Sequence, residues 1–419
     1  MATKQLNILW AINILLPGAS RALGLESQVI GGWLMAYREC LRLQAPEVQI
    51  TLLSPYPGST PRLLSVDGDN YYVFPERSNS AQRQGWFRTV MEETRPDVIH
   101  IHGSESPHAL DVLAVANPQR TVLSVQGLVS VISPYYYGGL TFAERLRYAS
   151  LRDFLRRDLI SCQQRRFRRN GEREEQILAR VGHVIGRTEW DRAHARALQP
   201  GVHYYHCEEA LRAEFYTAHW QREHCFPEPT LFVSQASFPL KGVHKLVEAL
   251  PLVIRRYPNL RVHIAGDNLL ATPWLKRTTY GRYLQALVRR LHVETHLTFL
   301  GRLSASQMVE QYLGARMFVS PSIIENSSNS VCEAQLLGTP VVASNVGGMM
   351  DLVTHRHTGL LYRFEETTQL ADYICELLAD DDLCRRLSNA ERQTALMRHD
   401  RTAIAHSLMQ IYQEIDKAQ

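Results

Sequence analysis

The sequence predicts an α/β chain folded as two Rossmann-like halves in series. Short apolar runs alternate with helix-period patterns along the whole chain, which is the arrangement of parallel sheets. At 419 residues the chain is too long for one ordinary core, and it suits two domains of about 200 residues each. The alternation also stops and restarts around the polar, proline-containing stretch from Trp220 to Pro229, which reads as a linker. These observations set a first domain at 1–226 and a second at 227–399. A last helix near 401–416 lies beyond the second half and is expected to cross back, so that 400–419 joins the first domain.

In the first half the expected strands are 7–11, 48–53, 98–102, 121–125 and 183–186. The N-terminus has a lysine followed by an apolar stretch, but Asn7 and Asn13 interrupt it and no small-residue cleavage site follows. A first buried strand is therefore expected, not a leader. Asp67-Gly68-Asp69-Asn70 lies between two extended runs and reads as a hairpin turn, not as a metal-holding DxD. In the second half the expected strands are 231–235, 261–266, 297–300, 317–320, 341–344 and 360–362, with helices such as 243–257 and 304–314 between them.

Composition excludes several classes. Hydrophobic content of 45% and charged content of 21% are those of a globular protein, and no apolar run reaches the ~18–20 residues of a membrane span. The seven cysteines are scattered and form no CxxC pair, which fits reduced thiols in a cytoplasm and argues against both a disulfide framework and a structural zinc; no cofactor is expected. A net charge of +4 is not the balance of a nucleic-acid binder. The positive charge is concentrated in 145–173, where arginines interleave with apolar residues at three- and four-residue intervals. One or two basic amphipathic helices are expected there. Two readings stand: a solvated face beside a core stripe, or contact with an anionic membrane surface or a lipid-phosphate acceptor.

The densest chemical information lies in 318–348. A strand ends at Ser320, a polar loop carrying Glu325 follows, and a helix is expected from about Ser330 to Gly338, where glycine suits a left-handed C-cap. Amides at that helix start, around Asn329, Ser330 and Val331, would face the carboxyl edge of the sheet, where an anionic phosphate binds. Ser330-x-x-Glu333 also reads as a capping box, in which Glu333 merely satisfies the helix start. That second reading leaves Glu325, the polar loop and Gly347-Gly348 unexplained. Carboxylates suit vicinal hydroxyls, since one can accept two hydrogen bonds.

From Pro321 to Gly348 the chain closely resembles family 4 of the retaining GT-B glycosyltransferases, whose hallmark is PS-x-x-E-x7-E-A-x-x-x-G-x-P-V-V-A-S-x-x-G-G. The resemblance implies a GT-B fold with two Rossmann-like domains facing across a cleft, and no metal. It places Glu325 on hydroxyls of the transferred sugar and Glu333 on the ribose, with the amides of Asn329, Ser330 and Val331 near the sugar and diphosphate. Leu240-Lys241-Gly242 to Leu250 resembles the family's KG-x-x-x-L-I-x-A-L, in which the lysine holds the donor diphosphate; a cation suits the charge that builds on the leaving group. The family's arginine before this lysine is absent here. Arg302 is a candidate substitute or a plain surface arginine.

In the first half, 96–105 resembles the family's D-V-I-H-x-H strand end. His100 and His102 share one strand face; His100 reads as a buried structural histidine and His102 as the cleft candidate. Gln126 stands where many relatives carry histidine or aspartate. It has no basic function, but it can orient a sugar by hydrogen bonds. Arg187 opens an element resembling the family's R-T/S-x-W/F-D, with either a charge-binding or an ion-pair role. Gly31 and Gly32 either admit a phosphate to the backbone or relieve packing at a helix start. The aromatic segment 204–216 reads mainly as interdomain packing.

The resemblance thus implies a cytoplasmic hexosyltransferase, working at the inner face of the cell membrane if the basic segment binds lipid. Its donor would be a UDP- or GDP-sugar and its acceptor a glycan or lipid-linked molecule of a bacterial surface polysaccharide or glycolipid. A soluble metabolic enzyme with a small acceptor, and a sugar-nucleotide-binding module without turnover, are the alternatives.

Overall fold

A computed structural model describes residues 5–26, 31–273 and 276–418. Two sheets organise the chain. Packing divides it into one unit of Met1–Val131, Arg169–Arg212 and His399–Gln419, and another of Ile132–Arg168 and Ala213–Arg398.

The first sheet holds eight strands: β1 (Asn7–Ile12), β2 (Gln49–Tyr56), β3 (Arg62–Val66), β4 (Asp69–Pro75), β5 (Val98–His102), β6 (Thr121–Ser124), β7 (His183–Gly186) and β8 (His203–His206). Their order is β3-β4-β2-β1-β5-β6-β7-β8. All neighbours are parallel except β3 and β4. That antiparallel pair is joined through Asp67 and Gly68 at φ 53° and 83°, the doubly left-handed turn that Asp-Gly favours. The Asp69 carboxylate pairs with Arg38.

Alternation along β1 splits the core between the sheet's two faces. Ile8, Trp10 and Ile12 pack with Leu34, Tyr37 and the C-terminal helix, while Leu9 and Ala11 pack with Phe87, Val112 and Ile177. The last helix, Arg401–Lys417, starts on an Asp400 cap. It buries Ile404, Leu408, Ile411, Tyr412 and Ile415, a helical stripe, in the first of these clusters. The Tyr412 hydroxyl accepts from Trp10 Nε1 at 2.9 Å and lies 2.7 Å from His100 Nδ1. The expected return of this helix to the first unit is therefore observed.

Strand β8 was not expected as a strand. The segment 203–206, His-Tyr-Tyr-His, is half-exposed at the sheet edge and lacks the apolar run of a central strand.

The second sheet is wholly parallel: β9 (Thr230–Val233), β10 (Arg261–Ala265), β11 (Leu297–Gly301), β12 (Met317–Ser320), β13 (Val341–Ser344) and β14 (Leu360–Tyr362), in the order β11-β10-β9-β12-β13-β14. The order reverses between β9 and β12, which makes that position the topological switch point where ligands bind in such sheets.

The basic segment forms three helices, Phe142–Arg147, Leu151–Leu155 and Ile160–Leu178, where one or two were expected. Ser150 caps a fresh start by accepting from Asp153 N, and Arg157 breaks the run in the left-handed region at φ 51°. Residues 132–168 group with the second sheet, although the sequence set the first domain at 1–226. Leu140 and Ile160 enter its core, and the fully buried Asp153 accepts from Thr279 Oγ1 at 2.9 Å and pairs with Arg282.

Candidate active site

The loops after β9 and β12 meet at the switch point. The first runs to a short turn, Pro239–Lys241, and enters the helix Val243–Ile254 through Gly242 at φ 66°. The second carries Glu325. Lys241 Nζ lies 2.8 Å from Glu325 Oε2, with the two side chains 28% and 19% exposed. Ser322 Oγ donates to the same oxygen at 3.2 Å. A half-exposed pair of this kind adds little to stability; its significance is that a cation and a carboxylate, both reachable by solute, converge from separate motifs.

Two glycines hold the loop from opposite sides. A Cβ on Gly242 would stand 1.7 Å from the Pro321 carbonyl oxygen, and one on Gly347 would stand 2.0 Å from that of Glu325. Backbone bonds seal both approaches: Ile323 N donates to Leu240 O at 2.8 Å, and Gly348 N donates to Glu325 O at 3.1 Å. The glycines of the two motifs thus set where the carboxylate stands.

The helix after the loop is Asn329–Leu337, capped at Ser328 with no side-chain cap bond. The capping box between Ser330 and Glu333 is therefore not formed, because the helix begins one residue before Ser330. The Ser328 carbonyl accepts from both Val331 N and Cys332 N at 3.0 Å, so the Val331 amide is engaged inside the first turn. Ser330 gives its carbonyl to the Tyr312 hydroxyl at 2.9 Å. Asn329 and Glu333 stand four residues apart on one helix face. Glu333 is buried, and so are Asn326, Ser327 and Ser328 of the loop. Gly338 ends the helix at φ 73°, as expected.

Arg302 is not brought to Lys241. It follows β11, two strands from β9, is 79% exposed, and faces Asp267 at 3.3 Å.

In the first unit, His100 and His102 are both buried at the carboxyl end of β5. His100 is fixed between Tyr412 Oη and Ser124 Oγ (2.7 and 2.6 Å), and burial lowers its pKa to about 3. His102 stacks on it at 3.8 Å and meets Trp10 edge-on at 4.5 Å. Neither ring nitrogen of His102 has a hydrogen-bond partner among the described residues. Burial, and then His100, hold its pKa well below the usual range, so it is a neutral imidazole in an aromatic nest.

Gln126, after β6, donates through Nε2 to Glu209 Oε1 at 2.5 Å. The other oxygen of Glu209 pairs with Arg187 Nη1 at 2.9 Å, with both side chains 4% exposed. Arg187 N donates to Asp191 Oδ2 at 3.0 Å, and His399 Nδ1 lies 2.9 Å from the Glu209 carbonyl. Glu209 thus joins two expected residues into one network. Sequence reasoning missed it; the acidic pair Glu208-Glu209 just beyond the aromatic run 204–206 was the available signal.

Gly31, at φ 87°, begins the helix Gly32–Gln44. A Cβ there would stand 1.9 Å from Ile14 Cδ1, and one on Gly32 would stand 2.6 Å from Arg212 Cδ. Side chains thus crowd both glycines at the helix start, and the left-handed φ favours glycine at 31. A cavity of about 570 Å³ lined by Asn7, Asn70, Glu93 and Arg95 opens at the amino-terminal edge of the first sheet. That is the wrong edge for ligand binding in parallel sheets, so the carboxyl-end residues are the better guide.

Residues 219–394, which contain the switch point, match the family model described as glycosyl transferases group 1. The match covers most of the second unit. Within the curated proteins, the chain is 32% identical over 152 residues to D-inositol 3-phosphate glycosyltransferase of Corynebacterium urealyticum, covering 36% of this chain and 35% of that one. It is 30% identical over 187 residues to the GDP-mannose-dependent alpha-(1-6)-phosphatidylinositol monomannoside mannosyltransferase of Mycobacterium tuberculosis, covering 42% and 45%. The chain thus spans less than half the length of these curated relatives. Over nearly its whole length it shares a fold with sucrose-phosphate synthase from Thermosynechococcus elongatus (TM-score 0.72, 18% identity, 98% of this chain and 100% of that one). Anabaena Alr3699/HepE, solved with UDP-glucose, has the same fold (TM-score 0.67, 16% identity, 98% and 100%). The matched residues accordingly sit in a chain of GT-B fold, with two α/β sheets.

Proposed function

We propose that the chain is a metal-independent retaining glycosyltransferase that takes a sugar from a UDP- or GDP-sugar and gives it to a glycan or lipid-linked acceptor. The observation that carries this reading is the convergence of Lys241 and Glu325 at the switch point of the second sheet. In the proposal, Lys241 turns from Glu325 to the donor diphosphate and offsets the charge that builds on the departing oxygen. Glu325, released, accepts hydrogen bonds from the sugar, while Glu333 and Asn329 take the ribose and its neighbourhood. A front-face transfer needs no protein nucleophile when the departing phosphate takes the acceptor proton. Gln126 then serves as an orienting amide and His102 as a neutral wall or hydrogen-bonding group. The choice of nucleotide rests on the relatives, which include a GDP-mannose-dependent enzyme and a structure holding UDP-glucose.

A second reading, a small anionic acceptor, is supported by the name of the inositol-phosphate relative. Arg187 favours it only weakly, since Glu209 already satisfies its charge.

The test is a panel of UDP-, GDP- and ADP-sugars read by thermal stabilisation, which a bound donor raises by mass action. One nucleotide should raise the melting temperature and support transfer, with the anomeric configuration of the product retained by NMR. No shift with any donor, or an inverted product, overturns the corresponding part of the reading.

A further inference from the structure

The helices Phe142–Arg147 and Leu151–Leu155 turn large apolar side chains into solvent. Phe142, Leu146, Leu151, Phe154 and Leu155 are each 67–74% exposed. Their spacing, 142/146 on one helix and 151/154/155 on the next, gives each helix one apolar stripe, and that stripe faces outward. Thirteen large apolar residues are exposed among the described residues, and five of them fall within these fourteen positions. Scattered exposed apolar residues need no explanation, whereas a contiguous set does.

The platform beneath the stripe is fixed. Asp153, on the inner side, accepts from Thr279 and pairs with Arg282 and Arg152. Arg282 Nε donates to the Tyr148 carbonyl at 2.7 Å, and Tyr148 meets Tyr283 edge-on at 5.6 Å. Thr141 and Ser150 cap the two helices through Glu144 N and Asp153 N. The outward stripe is therefore built into the unit and is not a frayed end.

Its charge is one-sided. From 141 to 169 there are nine arginines against three acids, an excess larger than the +4 of the whole chain. All three acids are engaged locally: Glu144 in its capping box, Asp153 as above, and Asp158 with Arg152 and Arg166. Arg147, Arg156 and Arg157 stand exposed beside the apolar side chains.

We propose that this patch docks on a bilayer surface rich in anionic phospholipid, with the five apolar side chains entering the acyl boundary and the arginines meeting the headgroups. A second copy of the chain is a poorer occupant, because a symmetric contact would set arginines against arginines. The inference rests on exposure, anchoring and charge, and stands whether or not the transferase reading does.

The test is flotation of the full chain with phosphatidylcholine vesicles and with vesicles of equal parts phosphatidylcholine and phosphatidylglycerol. The chain should float with the mixed vesicles only, and high salt should release it. Leu151→Ser with Phe154→Ser should cut the bound fraction by about tenfold or more, as should Phe142→Ser with Leu146→Ser. Arg156→Gln with Arg157→Gln should cut it several-fold, with every variant keeping the wild-type melting curve. Failure of the wild type to float, flotation of the serine variants like wild type, or lipid-free self-association lost with those substitutions would each overturn it.

Discussion

Lys241 and Glu325 stand 84 residues apart in sequence and 2.8 Å apart in space, joining the loop after β9 to the loop after β12. Under the proposed function the lysine stands where a departing diphosphate would lie, and the carboxylate neutralises it until a donor arrives. Lys241→Ala should lower turnover by about 10²–10³-fold, the usual cost of losing one preorganised charge on a leaving group. Glu325→Gln should lower it too, and the double variant should lose less than the two losses added, because the residues are coupled. Steady-state rates of the four proteins give the coupling, and strict additivity would sever the two roles.

Gly347 stands at φ 53° with the Glu325 carbonyl filling the space a side chain would need. Gly347→Ala should therefore displace the loop, destabilising the unit by roughly 1–3 kcal/mol and depressing turnover more than Glu325→Asp does. Denaturant melts and donor titrations on both variants separate the contributions.

Glu333 lies buried on the helix face it shares with Asn329, and no capping box accounts for it. Glu333→Ala is expected to weaken nucleotide binding, measured with the free nucleoside diphosphate, while Glu325→Ala mainly reduces transfer. Equal nucleotide affinity in wild type and Glu333→Ala would remove the ribose assignment.

The Arg187–Glu209 pair is almost wholly buried. Glu209→Ala should destabilise the first unit by about 3–5 kcal/mol, since a guanidinium is left buried without its partner. Arg187→Met with Glu209→Leu should recover much of that loss. Urea unfolding of the single and double variants checks it.

His100 and His102 are buried as neutral rings, with folded pKa values held below the free value of 6.5. Below that pH the unfolded chain binds protons that the folded chain refuses. Their contribution to stability is complete above about pH 6.5 and declines as the pH falls toward the folded values. The expected slope approaches about 1.4 kcal/mol per pH unit for each histidine. His102→Phe should flatten the decline between pH 6.5 and 4 in a thermal-melt series, and an unchanged slope would mean the ring is already charged in the fold.

Much of this was legible from residue patterns. Central strands such as 317–320 and 341–344 were evident because parallel strands buried on both faces read as near-continuous apolar runs. The pairing of Lys241 with Glu325 was not, since nothing local fixes the order of strands in a sheet. Strand β8 escaped because an edge strand tolerates His-Tyr-Tyr-His. The capping box was misread for a geometric reason. Ser328 and Ser330 are both good caps by type, and the choice between them fell to backbone bonds from Val331 and Cys332. Glu209 was hidden because its partners, Gln126 and Arg187, lie 83 and 22 residues away.

The closing helix, through Tyr412, fastens Trp10 of the first strand and His100 of the fifth. The fold of the first unit is thus completed only when the last residues of this helix are in place, after the whole second unit has left the ribosome. A chain cut near 398 would keep every donor-site residue named above, yet Trp10 and His100 would lose their shared hydroxyl and Leu34 and Tyr37 their apolar cover. Removal of the helix 401–417 would then be felt as failure in strands some 300 to 400 residues earlier, while the second unit keeps its own core.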